Sequence, residues 1–354
     1  MAVTGSGEIP YLAIGVPSDA PLSVIVDKLT AMELRALGGS GLRVSRMGLG
    51  TLTWGGETGS DEAADKLAAF VEAGGTLVDT ADVYNEGAAE EILGSLLGDH
   101  ISRDSIVLAT KAAARRADGP FGGGASRGAL LAALDASLRR LGTEYVDLWQ
   151  LHAWDGAVPL EETLGALDAA VSSGKVRYVG VCNYAGWQLA TAAERRRGAS
   201  PASPIVSAQM EYSLLERGVE RELVAAAEHH AIGLLPWAPL GRGVLTGKYR
   251  SGTPADSRGA SARYAAYVEH HRTERAARIV QAVTTAADGL GTSPLAVALA
   301  WVRDRPGVTA PIVGARDTGQ LNGALRAEEI VLPAEIRSAL DDISAIELGY
   351  PEHH

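Results

Sequence analysis

Cysteine is nearly absent, with Cys182 the only one in 354 residues. One thiol permits no disulfide within the chain, which fits a reducing compartment. Basic stretches are scarce too. The net charge is −11, the longest basic run is Arg195-Arg196-Arg197, and no Lys/Arg stripe could follow a phosphate backbone, which argues against a nucleic-acid surface. No apolar run is long enough to span a bilayer. The first 27 residues hold no Lys or Arg, and Pro10, Pro17 and Pro21 break their apolar stretches, so the pattern of a signal peptide is missing. The expected location is therefore the cytoplasm, with no membrane partner. Also lacking are a P-loop, a nucleophile elbow, and a G-x-G-x-x-G opening a helix after the first strand.

What remains is a globular composition, 46% hydrophobic and 21% charged, in a chain long enough for one large α/β barrel or two ordinary domains. Residues 1–31 read as a loose extension rich in Gly, Pro and Ser, and the folded domain is expected over 32–348, followed by a tail at 349–354. Two short runs, 32–37 and 42–46, flank Gly38-Gly39-Ser40-Gly41, which is hairpin chemistry. A repeated unit of strand, polar loop and Ala/Leu-rich helix follows. The strands are predicted at 47–51, 76–78, 106–110, 145–151, 176–181, 205–209, 232–236 and 308–313. Helices are predicted near 61–72, 89–97, 127–141, 160–173, 186–197, 216–230 and 294–303. Eight strands alternating with helices are the count that closes a (β/α)₈ TIM barrel, with the hairpin plugging its bottom. Two long loops, 115–126 and 239–271, are expected to wall the C-terminal face.

Strand ends in such a barrel share one mouth. Asp79 ends the second strand, Tyr84 lies in the loop after it, Lys111 ends the third, and His152 ends the fourth. This set suits proton exchange with a carbonyl oxygen. A free tyrosine titrates near 10, and a neighbouring ammonium is expected to lower that value. Lys111 would supply the charge, Asp79 would hold Lys111, and His152 would orient the carbonyl. None of these groups donates hydride, so a nicotinamide cofactor is required. Trp54 and Trp154, just past strand ends, are candidates for a substrate pocket. His229-His230, His270-His271 and His353-His354 read as surface pairs, and no metal site is expected. A glycosidase built on Asp79 and Glu211 would give Lys111 and Tyr84 no role.

With their local contexts, these residues resemble the aldo-keto reductase superfamily, in its potassium-channel β-subunit-like branch. The contexts are Val78-Asp79-Thr80-Ala81 before Tyr84, Ala109-Thr110-Lys111, and Leu151-His152-Ala153-Trp154-Asp155. The resemblance covers about 32–348 and makes Asp79, Tyr84, Lys111 and His152 a catalytic tetrad. It implies NADP(H) laid across the strand ends and an aldehyde or ketone as substrate. Under it, Asn183 and Gln209 hold the nicotinamide carboxamide, Tyr212 stacks on the ring, Trp237 lies beside the cofactor, and Gly50 and Thr51 lie near its ribose. Pro239, Leu240, Gly241, Gly243 and Lys248 wrap the pyrophosphate. Arg258, Gly314, Arg316 and Gln320 meet the adenosine phosphate, and the two guanidinium groups favour NADP(H) over NAD(H).

Two positions depart from the family pattern. Cys182 stands where Ser is frequent, and a thiol is the weaker hydrogen-bond partner. Ala324 stands where many members carry an adenine-contacting Asn. The same resemblance carries an alternative role, a cofactor-binding regulatory subunit with little turnover.

Overall fold

The computed structural model describes residues 32–114, 119, 123–197, 203–347 and 349–350. The expected extension at 1–31, most of the tail and part of the 115–126 loop lie outside the described residues. Among the described residues, no helix is long and apolar enough to cross a membrane.

The first described elements form an antiparallel hairpin, β1 (Leu34–Ala36) and β2 (Arg43–Ser45), in the register Leu34↔Ser45. Its turn tucks under the barrel. Gly38 has φ 57°, and a Cβ there would stand 2.5 Å from the Ala231 carbonyl oxygen and 2.7 Å from the Gly233 nitrogen. Only glycine allows that approach. Leu37 and Val44 then join Leu77, Ala109, Leu148 and Leu235 in a separate buried cluster at the barrel floor.

Eight strands form the barrel: β3 (Gly48–Gly50), β4 (Leu77–Asp79), β5 (Val107–Ala112), β6 (Val146–Leu151), β7 (Val176–Cys182), β8 (Ile205–Glu211), β9 (Gly233–Trp237) and β10 (Ile312–Val313). They pair in parallel in the order β10-β3-β4-β5-β6-β7-β8-β9. The seam between β9 and the last strand is closed by a bridge between Leu234 and Val308. The last strand is shorter than the expected 308–313. Pro311 has no N–H to give a ladder, and its carbonyl instead accepts from Gly48 N at 2.9 Å.

The outer helices include α1 (Ser60–Glu72), α2 (Ala88–Leu96), α3 (Arg127–Leu141), α4 (Leu160–Ser172), α5 (Gly186–Arg197) and α6 (Leu223–His229). They continue with α7 (Ala265–Glu269), α8 (Glu274–Leu290), α9 (Pro294–Arg303), α10 (Thr318–Leu325) and α11 (Ala334–Ile343). The longest helix, α8, falls where no helix was predicted. Its signals were local: Thr273 caps the start by accepting from Ala276 N, and Gly291 ends it in the left-handed region. The 216–230 prediction shrinks to α6, because 213–221 is taken up by turns around Ser213 and Glu216.

Strand periodicity sets the interior. Leu77, Ala109 and Leu148 lie on the floor, and two residues further along the same strands stand Asp79, Lys111 and Gln150, all buried. A period of two puts each pair on one face, so an apolar layer supports a polar one. Gly180 makes room in that upper layer, since a Cβ there would lie 2.0 Å from Ser207 Oγ.

Candidate active site

Asp79 is tied from two sides. Its Oδ2 accepts from Lys111 Nζ at 2.6 Å, and its Oδ1 accepts from Gln209 Nε2 at 2.8 Å and Gln150 Nε2 at 3.3 Å. Lys111 Nζ also donates to the Thr80 carbonyl at 2.8 Å and to Tyr84 Oη at 3.2 Å. The lysine is completely buried. Burial alone would disfavour its ammonium, but Asp79 and Tyr84 outweigh that cost and raise its pKa above the usual lysine value. The ring of His152 meets Tyr84 edge-on with centroids 6.0 Å apart. Burial and the Lys111 charge drop the His152 pKa to about 3, so the imidazole is neutral. Its Nδ1 is buried and has no hydrogen-bond partner among the described residues.

For Tyr84 the balance differs from the sequence expectation. Burial raises its pKa above the ordinary phenol value, and the opposing pull of Lys111 is the smaller effect. Tyr84 therefore keeps its proton at neutral pH. Its backbone setting is unusual as well. Asn85 and Glu86, the next two residues, have φ of 48° and 60°. Asn85 tolerates this because its Nδ2 donates to the carbonyls of Leu52 and Trp54, at 3.0 and 2.7 Å. Behind the loop, buried Glu90 accepts from Thr110 Oγ1 at 2.5 Å and from Arg140 Nε at 2.8 Å, locking α2 to β5 and α3.

Above this layer opens a cavity of about 720 Å³. Tyr84, His152, Asn183, Gln209 and Trp237 line one part of it. Gly50 and Thr51 at the end of β3 also reach its wall. Asn183, with φ 57°, donates through Nδ2 to the His152 carbonyl and accepts from Trp237 Nε1, each at 3.0 Å. Pro239, Leu240, Gly243 and Lys248 come from the long loop, and Arg258 follows. Gly314, Arg316, Gln320 and Ala324 complete the opposite wall. Asp317 caps α10 by accepting from Gln320 N at 2.8 Å, and Gln320 Oε1 accepts from Arg316 N at 3.2 Å.

Several candidates lie elsewhere. Tyr212 is not in the wall: its ring packs on Trp301, and its hydroxyl donates to Glu220 at 2.6 Å. Of the two aromatics expected at the nicotinamide end, Trp237 alone lines the cavity, at the end of β9 and in register with Glu211. Trp54 is completely buried and Trp154 packs against Tyr184 and Trp187, so neither lines the cavity. Gly241 is buried under the loop, where a Cβ would meet Leu215 at 2.6 Å. Lys111 also stays beneath the surface and acts on the cavity only through Tyr84 and Asp79. Cys182 is buried, and burial raises its pKa.

The structure adds a clasp that the motif reading missed. Glu211, at the end of β8, is gripped by Arg242 at 2.8 and 2.6 Å and by His271 at 2.9 Å. The Arg242 guanidinium lies 3.9 Å from the Tyr267 ring centroid. This clasp fastens the loop over the mouth and brings Arg242, Arg263, Tyr264 and Tyr267 into the cavity wall. It also engages the carboxylate a glycosidase would need. The loop's density of Arg and Tyr was the available signal. On the outer surface, Glu194 joins His229 and His230 with ligand atoms within 4.8 Å of one another, a grouping that needs the packing of α5 on α6. Arg197 donates to His230 Nδ1 at 3.2 Å and places a cation on that face.

The parallel eight-stranded barrel thus carries a buried lysine–aspartate pair under a tyrosine at its mouth. The family profile described as "Aldo/keto reductase family" matches residues 46–345, and the chain belongs to that family. It is 37% identical over 324 residues to the uncharacterized oxidoreductase YrpG of Bacillus subtilis (strain 168), covering 88% of this chain and 96% of that protein. It is 34% identical to a "probable voltage-gated potassium channel subunit beta" of Oryza sativa subsp. japonica, covering 91% and 98%. With the L-glyceraldehyde 3-phosphate reductase of Escherichia coli (strain K12) it shares 35% over 306 residues, 84% and 87% of the two chains.

Proposed function

We propose that the protein reduces an aldehyde or ketone to an alcohol with NADP(H), Tyr84 delivering the proton. The observation that carries this reading is the 3.2 Å bond between Lys111 Nζ and Tyr84 Oη at the edge of a cavity whose far wall holds Lys248, Arg258 and Arg316. The residues present fit a phosphorylated dinucleotide. Gly243 and Gly314 bare their backbone to the cavity, and Arg258 Nη2 lies 3.6 Å from where a Gly314 Cβ would be. The cations suit a pyrophosphate and a further phosphate. Asn183, Trp237, Gly50 and Thr51 would hold the nicotinamide end, and Gln320 would flank the adenosine phosphate.

When bound, the nicotinamide supplies the hydride. The chain's own residues do the rest. His152, neutral, donates to the carbonyl oxygen through a ring N–H and orients it toward Tyr84. Tyr84, protonated because its burial raises its pKa, gives its proton to that oxygen as negative charge develops. Lys111 stabilises the phenolate left behind, and Asp79 keeps Lys111 charged and in place. The reverse oxidation would use the same groups. The expected location remains the cytoplasm.

The test is NADPH consumption across a panel of aldehydes, ketones and sugars, with Tyr84→Phe as control. Full rate in that variant would remove Tyr84 as the acid. A second reading rests on the likeness to the plant channel subunits: the barrel binds the same cofactor but serves a partner. Tight NADPH binding without multiple turnover on any carbonyl would favour it.

A further inference from the structure

The charges of the cavity wall do not cancel, and one of them has no task in the scheme above. Among the described residues of the wall, Asp79 is the only carboxylate, and it is saturated by Lys111, Gln209 and Gln150. Arg242 is neutralised by Glu211. Lys248, Arg258 and Arg316 belong to the cofactor phosphates in the reading proposed above. Arg263 remains. Among the described residues, no carboxylate lies within 4.0 Å of it. Its Nη1 instead donates to Asn85 Oδ1 at 2.7 Å.

That contact fixes where the charge stands. Asn85 follows Tyr84 directly and is itself held by two bonds to the backbone of 52 and 54. A guanidinium from the long loop is thus pinned beside the residue proposed to protonate the carbonyl. A neutral amide oxygen uses only part of its donor set, since the fork presents five N–H groups. We infer that Arg263 recognises an anionic group, a carboxylate or phosphate monoester, on the carbonyl substrate. The protein would then prefer aldehydes or ketones carrying a negative charge a few atoms from the reacting carbon. This rests on the reductase reading and names its substrate class.

The experiment compares wild type with Arg263→Met and Arg263→Lys on matched probes. Succinic semialdehyde against pentanal tests a carboxylate, and glyceraldehyde 3-phosphate against glyceraldehyde tests a phosphate. NADPH affinity is measured alongside. The expected result is a lower KM for one charged probe in wild type. In Arg263→Met that KM should rise about tenfold or more, with neutral probes and NADPH affinity unchanged, as for a lost charge-assisted bond. Arg263→Lys should recover part of it. Which charged probe responds identifies the anion. Equal changes for charged and neutral probes would reduce Arg263 to a structural latch and overturn the proposal. A parallel loss of NADPH affinity would overturn it too, by making Arg263 a cofactor contact. If wild type turns over no carbonyl at all, the reductase reading fails. Anion recognition is then judged by calorimetric binding of succinate and of glycerol 3-phosphate to the NADPH complex. Loss of that binding in Arg263→Met sustains it, and equal or absent binding overturns it.

Discussion

Lys66 and Arg316 are joined through the main chain: the buried ammonium of Lys66 donates to the Arg316 carbonyl at 3.2 Å, and to that of Ala315 at 2.9 Å. A third bond, to Thr58 Oγ1 at 3.0 Å, fills its donor set. A lysine on α1 thus fixes the carbonyls of 315 and 316, and with them the side of the cavity that carries Arg316.

One prediction follows from that ammonium. Burial lowers the Lys66 pKa to about 8, with Glu62 and Asp317 opposing. A folded pKa below the unfolded value of 10.5 means the unfolded chain binds the extra proton between these limits, so this group makes stability rise with pH from about 8 to 10.5. Over the same window the folded site loses a positive charge, and NADPH affinity should weaken. Burial lowers the Lys248 pKa too, so fluorescence titrations from pH 7 to 10 should show a smaller weakening in Lys66→Met than in wild type. An identical pH dependence in both would clear Lys66 of the effect.

Trp237 lines the cavity and Tyr212, the residue expected to stack on the nicotinamide, does not. Trp237→Ala should weaken NADPH binding by at least about tenfold, the scale of a lost aromatic stacking contact. Tyr212→Phe should leave it unchanged while costing about 1–2 kcal/mol of stability through the bond to Glu220. Cofactor titration and urea unfolding of the two variants separate these outcomes.

His152 carries a sign that can be read. Its pKa of about 3 lies below the unfolded 6.5, so the unfolded state protonates first as pH falls. Stability should decline from about pH 6.5 toward 3 on this account, and His152→Gln should remove that component. Turnover should show no inflection from this imidazole between pH 5 and 8. An inflection in kcat there that vanishes in His152→Gln would contradict a neutral donor.

Glu90 is buried against Arg140, with Nη2–Oε2 at 2.6 Å, and against Thr110. Glu90→Ala should destabilise the fold by about 3–5 kcal/mol, because it strands a partly buried guanidinium. Turnover should fall as well, since α2 carries the Tyr84 loop against β5. Denaturant midpoints and kcat of the purified variant check both effects.

Much of the barrel was legible locally. Leu77 with Asp79, Ala109 with Lys111, and Leu148 with Gln150 alternate with a period of two, and turn and helix signals separate the strands. The strand-end positions of Asp79, Lys111 and His152 were legible for the same reason, since a strand end in a barrel has only one mouth to face. Other features had no local signature. The Glu211–Arg242–His271 clasp joins residues 31 and 60 positions apart. The Arg263–Asn85 contact spans 178 positions. The burial of Trp54 and the packing of Tyr212 on Trp301 depend on what packs over them.

The sequence by itself determined the alternation of strands and helices, the residues that end each strand, and hence the Asp79, Tyr84, Lys111 and His152 set. These follow from periodicity and turn chemistry within a few residues. Only the tertiary structure decided the protonation of Tyr84, the place of Trp237 rather than Tyr212 in the cavity wall, and the loop cation beside Asn85. Each is a balance of burial and charge among groups far apart in the chain, and that balance exists only once the barrel has closed.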